Sequence, residues 1–444
     1  MTKTLEIIKK AIKGTEGKKY FFNTSWLMGE KVWSMMLVLV VSIFIARYLG
    51  PENYGILSYA LSLSTLFASI THMGLNGLTI RELVRHPEES GKILGTVFGL
   101  KFLGAFIAFA AFLIFAVQSE EVGSIEFWIL CIVSWLILLK PFEVIDFWFQ
   151  AKVESKYSSV ARGISTFLIS GFKIVLVIIG ASFFSIALAY TMQAMLLAGL
   201  FIFFYYKRSR ISFISWQFKY AKAKELLKQG WMIMLGAFFG MMYMQIDQVM
   251  LKWLANSQEV GIYSVAARLS EAWYFIPALL VASLFPKLIE LKDRDFHEFK
   301  NRLQQLFDLL FIIAFTLAVV ITVISKPLIS MLYGEAYESA ALILSIHIWA
   351  GIFIFMRAVF SKWILVEDAI VFSLVTQGLG ALSNFLLNLI LIPYYEALGA
   401  AVATIISYAI ASYISLSLNK KTRVIFIMMT KSMISPFRYI LKFR

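Results

Sequence analysis

Apolar runs of about 20 residues, each closed by a short polar or glycine-containing break, recur from end to end of the chain. At about 1.5 Å rise per helical residue, each run is long enough to cross a hydrocarbon core of roughly 30 Å. Read run by run, the pattern predicts about twelve helices, at 21–47, 54–80, 93–117, 125–149, 158–179, 183–206, 231–253, 260–286, 303–325, 340–366, 369–392 and 397–418. The stretch from Ile164 to Tyr206 carries only Lys173 as a charge and is too long for one crossing, so it divides at Gly180-Ala181-Ser182. The expected fold class is an all-α integral membrane protein.

The polar breaks sort by charge in alternation. One set holds Lys3, Lys9, Lys10, Lys13, Lys18 and Lys19, then Arg81, Arg85 and Lys92, then Lys152, Lys156 and Arg162. It continues with the cluster from Lys207 to Lys228, that from Lys287 to Arg302, Lys362, and Lys420, Lys421 and Arg423 onward. The other set holds only Arg47, Lys252 and Lys326. Cytoplasmic loops carry the excess of Lys and Arg, so a multi-pass protein of a bacterial cytoplasmic membrane with both termini inside is expected. A miscount by one helix would scramble the alternation. The outward loops are short, leaving no room for an external domain, and the tail from Val424 is expected to lie on the inner membrane surface with a break at Pro436.

Composition agrees. Of 444 residues 60% are apolar and only 15% charged, against about 25% charged in soluble domains. The net charge of +14 would suggest nucleic acid in a soluble chain; here the cations cap apolar runs, where they serve topology and meet membrane lipid headgroups, and no nucleic-acid partner is expected. The first twenty residues contain no continuous apolar core, so the first span is expected to be retained. Cys131, the sole cysteine, excludes an intrachain disulfide.

The chain repeats itself at an offset of about 205 residues. Trp26-Leu27-Met28, Ala46-Arg47-Tyr48-Leu49-Gly50 and Tyr54-Gly55-Ile56-Leu57-Ser58-Tyr59-Ala60 return as Trp231-Met232-Ile233, Leu251-Lys252-Trp253-Leu254-Ala255 and Val260-Gly261-Ile262-Tyr263-Ser264-Val265-Ala266. Six helices separate the copies, so both share one membrane orientation, related by an axis along the membrane normal. Two pseudo-symmetric six-helix lobes are expected, 1–210 and 211–418, around a central cavity, followed by a basic cytoplasmic tail at 419–444.

At these residues the sequence resembles the polysaccharide flippases, the O-antigen and capsular repeat-unit transporters of the multidrug/oligosaccharidyl-lipid/polysaccharide exporter superfamily. The likeness rests on Ala46-Arg47-Tyr48-Leu49-Gly50-Pro51-Glu52-Asn53-Tyr54-Gly55, on Gly74-Leu75 with Arg81-Glu82, and on Pro141-Phe142-Glu143 with Phe149-Gln150-Ala151. Asp247-Gln248-Val249-Met250-Leu251 and Val260-Gly261-Ile262-Tyr263 extend it into the second half. The resemblance implies alternating access and an undecaprenyl-pyrophosphate-linked oligosaccharide as substrate; the expected driving force is a proton or sodium gradient, consumption of the product outside, or both, with polysaccharide polymerases as partners. The first half departs from the second near Gly180-Ala181-Ser182, where it lacks the Pro393-Tyr394-Tyr395-Glu396-Ala397-Leu398-Gly399 joint.

Ionisable groups within membrane helices cost several kcal/mol unless paired or hydrated, which makes each a candidate for the transport path. A pyrophosphate brings about two negative charges and requires cations in place of lost water. Lys31, Lys101 and Arg268, each about ten residues into a span, fall near the midplane and are the candidate headgroup ligands. Arg47 and Arg81 stand at the outer and inner mouths, where cations ordinarily snorkel to lipid phosphate. Arg268 and Glu271, three residues apart on one face, are also placed to neutralise each other. Asp247, flanked by Gln245 and Gln248, and Glu271 are the candidates for binding a coupling ion. Gly91, Gly95 and Gly99 form a small-residue stripe for close packing, and Pro277 is expected to kink its helix.

No GxxxxGK[ST] loop occurs, the four histidines show no metal-ligand spacing, and no cofactor or catalytic residue is expected. Two rival readings stand beside the flippase. One is a multidrug efflux antiporter of the same superfamily, against which the midplane cations argue. The other is a membrane polymerase or glycosyltransferase acting on lipid-linked sugars, for which Asp293-Arg294-Asp295 is the lone candidate motif.

Overall fold

With no water in a bilayer to satisfy backbone amides, an apolar chain that crosses it has to close its hydrogen bonds within each segment, and helices do so. The computed structural model describes residues 15–209, 212–366 and 370–442, and all the regular structure in them is helical. The α-helices are α1 (Thr15–Ser69), α2 (Leu75–Arg85), α3 (Ser90–Ser119), α4 (Ile125–Leu139), α5 (Val144–Ala151), α6 (Lys156–Ile178) and α7 (Phe183–Arg208). They continue as α8 (Tyr220–Leu254), α9 (Ser257–Glu271), α10 (Phe275–Arg294), α11 (Phe296–Tyr333), α12 (Ala340–His347), α13 (Ala350–Val366), α14 (Ile370–Ser412) and α15 (Arg423–Lys442). The chain is a multi-pass membrane protein: nine helical stretches among the described residues are long and apolar enough to span a bilayer.

Two of those stretches are longer than a single crossing needs. The 61-residue stretch Ser25–Arg85 bends at Gly50, whose φ of 72° interrupts the helical backbone, and Pro51 follows it with no amide to lose. The 47-residue stretch Val371–Ser417 bends at Glu396, a non-glycine residue at φ 49°, three residues after Pro393. α8 lies outside the nine because Gln245, Asp247 and Gln248 dilute its apolar half.

Several local expectations change. The helix expected at 54–80 ends at Ser69, and Met73 and Gly74, both in the left-handed region, turn the chain into α2. Gly74 is required there, because a Cβ would overlap the Gly230 carbonyl oxygen. Pro277 produces no mid-helix kink: α9 ends at Glu271, and Pro277 falls in the first turn of α10, where its missing N–H costs nothing. The tail does not break at position 436. α15 runs through it, and its start packs on α11, with Ile425 and Met429 fully buried and Ser432 donating to Asp308 at 2.5 Å.

The contacts divide the chain into two compact units, one running to Ile45 and resuming over Ser64–Met234, the other made of Ala46–Leu63 and the chain from Leu235. The first is built on Ile93, Leu94, Val97, Trp148, Phe149 and Tyr205. It includes the segment after residue 211 because Lys222 Nζ meets the Glu82 carboxylate at 2.6 Å and the glycine stripe of α3 lies against that segment. Gln217 donates to the Gly91 carbonyl, and a Cβ at Gly95 or Gly99 would meet Gln217 or Phe218. The second unit is built on Phe307, Leu310, Phe355, Phe360, Ile425 and Met429.

In the second unit the two copies of the repeated joint touch. A Cβ at Gly55 would overlap the Ser257 carbonyl oxygen and lie 2.9 Å from the Gly261 nitrogen; a Cβ at Gly261 would overlap the Pro51 carbonyl and lie 3.1 Å from the Gly55 nitrogen. Equivalent glycines of the repeat therefore meet backbone to backbone.

Candidate functional site

Asp247 sits on α8, 2% exposed, and collects four hydrogen bonds from two other elements. Tyr263 of α9 donates to its Oδ2 at 2.6 Å, and Thr404 of α14 to the same oxygen at 2.7 Å. Asn388 and Asn384 of α14 donate to Oδ1 at 2.6 and 2.9 Å. All four partners are polar groups of neutral side chains. The two asparagines lie one helical turn apart, so one face of an apolar helix presents both amides, and Asn388 Nδ2 also reaches Asn384 Oδ1 at 3.2 Å. Asn388 Oδ1 is buried with no hydrogen-bond partner among the described residues. Carboxylate, amide and hydroxyl oxygens thus gather where α8, α9 and α14 meet, a donor set suited to a hard cation or a proton. His347 of α12 stands against the far side of Tyr263, ring centroids 5.7 Å apart.

Arg268 and Glu271 lie one turn further along α9, both half-buried. Arg268 and Asp247 are both within electrostatic reach of the Glu271 carboxyl. The Arg268 guanidinium also lies 5.8 Å from the ring centroid of Tyr54, in the first copy of the joint. Arg268, Glu271 and Asp247 are thus drawn together in the second unit.

The remaining candidates are dispersed. Lys101 on α3 is fully buried: its Nζ lies 3.7 Å from Glu143 Oε2, donates to Asn76 Oδ1 at 3.4 Å and sits 4.8 Å from the Phe147 ring centroid. Glu143 is held at its other oxygen by Lys140, 3.0 Å away. Lys101 is therefore already neutralised within its own unit. Arg81 donates to Gln229 at 2.5 Å and to Glu82 at 3.2 Å, beside the Lys222 pair. Lys31 and Arg47, both on α1, are exposed. A second buried ionic group forms where α5 and α6 meet α1: Arg162 bonds Asp146 Oδ2 at 2.9 Å and lies 3.5 Å from Glu30, which accepts from Ser34 at 2.7 Å.

A sequence profile described as "Polysaccharide biosynthesis protein" matches residues 21–292, more than half of the chain. The chain belongs to the polysaccharide biosynthesis protein family. Among the relatives of this chain, the proposed O-antigen transporter of Shigella flexneri is 24% identical over 335 residues, covering 70% of this chain and 78% of the relative. The proposed flippase AglR of Haloferax volcanii is 26% identical over 181 residues, 39% of this chain and 37% of the relative. Among solved structures, the lipid II flippase MurJ in an inward closed conformation superposes with a TM-score of 0.67 at 18% identity, over 94% of this chain and 92% of that one. An inward-facing multidrug resistance MATE family transporter of the MOP superfamily gives 0.63 at 12% identity, over 90% and 96%. The family member described here shares its fold with both.

Sequence reasoning singled out Asp247 but missed Tyr263, Asn384, Asn388 and Thr404. The signal for two of them was present: Asn384 and Asn388 are polar residues at helical spacing in the run from Gly378 to Tyr395, which holds no other amide side chain and no charge. Thr404 carried no such mark.

Proposed function

We propose that the protein is a flippase that moves an undecaprenyl-pyrophosphate-linked oligosaccharide repeat unit from the cytoplasmic to the outer leaflet by alternating access. The observation that carries this reading is family membership, together with a relative named for O-antigen transport that aligns over most of both chains. In this reading the lobes 1–210 and 211–418 are the moving halves, both termini and the 419–444 tail face the cytoplasm, and the membrane is the bacterial inner membrane.

Coupling is assigned to Asp247. A carboxylate buried in a membrane helix among neutral donors is costly as a bare anion, and a sodium ion or proton relieves that cost while binding. Glu271, within reach of both Asp247 and Arg268, tunes the same site. Arg268 and the exposed Lys31 are the headgroup ligands proposed first, with Arg47 and Arg81 at the mouths. Lys101 contributes to an incoming diphosphate only by exchanging Glu143 for it. The protein is proposed to transport rather than transform its substrate, handing it to polymerases outside.

The test is to disrupt the chromosomal copy and locate the lipid-linked precursor. Accumulation on the inner face, with loss of one surface polymer, is the expected result. Unpolymerised units on the outer face would sink the flippase reading in favour of a polymerase.

A further inference from the structure

The half of α1 nearest the N-terminus faces α6 across a trough that the Glu30–Arg162 pair bridges. Its main part has a volume of about 490 Å³ and runs between Phe22, Trp26, Gly29 and Trp33 on one side and Val160 and Gly163 on the other. A further pocket of about 360 Å³ continues it at the Phe22 end and shares Phe22 and Trp26. Residues 22 to 33 of a helix extend about 16 Å. Two features keep the trough open. An added Cβ at Gly29 or Gly163 meets nothing within 4 Å, and Phe22, Trp26 and Trp33 leave about half or more of their surface uncovered by the protein. The whole trough lies within the first unit.

Apart from Ser25, Ser159 and Glu30, whose carboxylate is already paired with Arg162, the main lining is apolar, and the Phe22 end is ionic. At the Phe22 end, Lys156 Nζ and the Arg208 guanidinium lie 5.2 and 4.8 Å from the Tyr157 ring centroid, and Glu154 accepts from Arg208 at 3.2 Å. Asn23 is already engaged with Ser155. The lining therefore suits a single long apolar chain with an anionic head, the chain along the indole faces and the head against Lys156 and Arg208.

We infer that this trough binds the polyprenyl chain of the lipid-linked substrate, with the adjoining diphosphate at the Lys156–Arg208 mouth. The inference rests on the flippase reading and adds to it a tail site separate from the headgroup ligands. A single trough accepts one chain, which fits a polyprenyl lipid better than the two chains of a phospholipid. In the proposed topology the mouth opens at the cytoplasmic interface, where such a substrate arrives. Holding the tail there keeps the head at the entrance while the sugar enters the path.

The experiment is photolabelling of the full-length protein in phosphatidylcholine nanodiscs with undecaprenyl diphosphate carrying a diazirine in its chain. The label is expected in the peptides around residues 22–33 and 159–164. Gly29→Leu and Gly163→Leu fill the trough while improving helix propensity, and each is expected to cut labelling there about tenfold. Gly77→Leu, at another exposed glycine whose added Cβ meets nothing within 4 Å, should leave labelling unchanged and so controls for folding. Wild-type labelling retained in the filled variants overturns the tail site while leaving the flippase reading intact. Competition by phosphatidylglycerol as effective as by unlabelled undecaprenyl diphosphate overturns it in favour of bulk lipid. No labelling anywhere in the wild type overturns both.

Discussion

Asp247 and Lys101 show two ways of keeping an ionisable side chain in an apolar environment. Lys101 has a carboxylate partner in Glu143, whereas the hydrogen-bond partners of Asp247 are neutral donors. The difference predicts different mutational behaviour. Asp247→Asn keeps an acceptor for the two asparagines and turns its amide toward Tyr263 and Thr404, whose hydroxyls can rotate to accept. The variant is therefore expected to fold and reach the membrane, and in vesicles its transport should no longer respond to an imposed sodium or proton gradient. A gradient response equal to that of the wild type would remove Asp247 from coupling. Glu143→Gln strands Lys101 as a buried charge and is expected to destabilise by roughly 3 kcal/mol. Lys101→Met leaves Glu143 with Lys140 and should cost less. Thermal melting of the two purified variants checks the order.

At the scale of elements, helix propensity and burial explain less than the points of closest approach. Gly55→Ala must push α1 and α9 apart or displace the Ser257 carbonyl, an overpacking that costs typically 1–3 kcal/mol. Gly77→Ala, with open space at its Cβ, should be neutral or stabilising by up to about 1 kcal/mol. Melting temperatures that move together for the two alanine variants would contradict the packing described at the joint.

Helix positions were largely legible, because runs of apolar residues closed by Gly50, Gly180 or the polar stretch at 118–124 mark bilayer crossings directly. What stayed hidden depends on which helices meet. Thr404 becomes a ligand of Asp247 only once α14 bends back at Glu396, and nothing local distinguishes it from the other hydroxyls of that helix. Lys101 read as a free cation because its partner lies on the turn between α4 and α5, some forty residues away in sequence. Pro277 misled because a proline's effect depends on where a helix begins, which composition does not fix, whereas α15 simply continues through position 436.

For the molecule as a whole, the alternation of charged breaks makes a definite topological prediction. In a Cys131→Ala background, a cysteine at Glu121 should react with a membrane-impermeant thiol reagent in intact cells. One at Asn419 should react only after permeabilisation. The opposite pattern would invert the protein and with it the direction of transport. If the orientation is as proposed, the same charge excess coats the inner face with cations that meet anionic lipid, each worth about 1 kcal/mol near the surface, a retention independent of the hydrophobic spans.

The touching glycines of the duplicated joint leave this protein little freedom to vary there. Wherever two side chains collide, a second substitution that shrinks the neighbour usually restores the fit. Here the neighbour of each glycine is main chain, and the residue across from it is already the smallest available. Suppressors of a bulky residue at position 55 should therefore map to places where a whole helix can shift, and selection for restored surface polymer should not recover them at position 261.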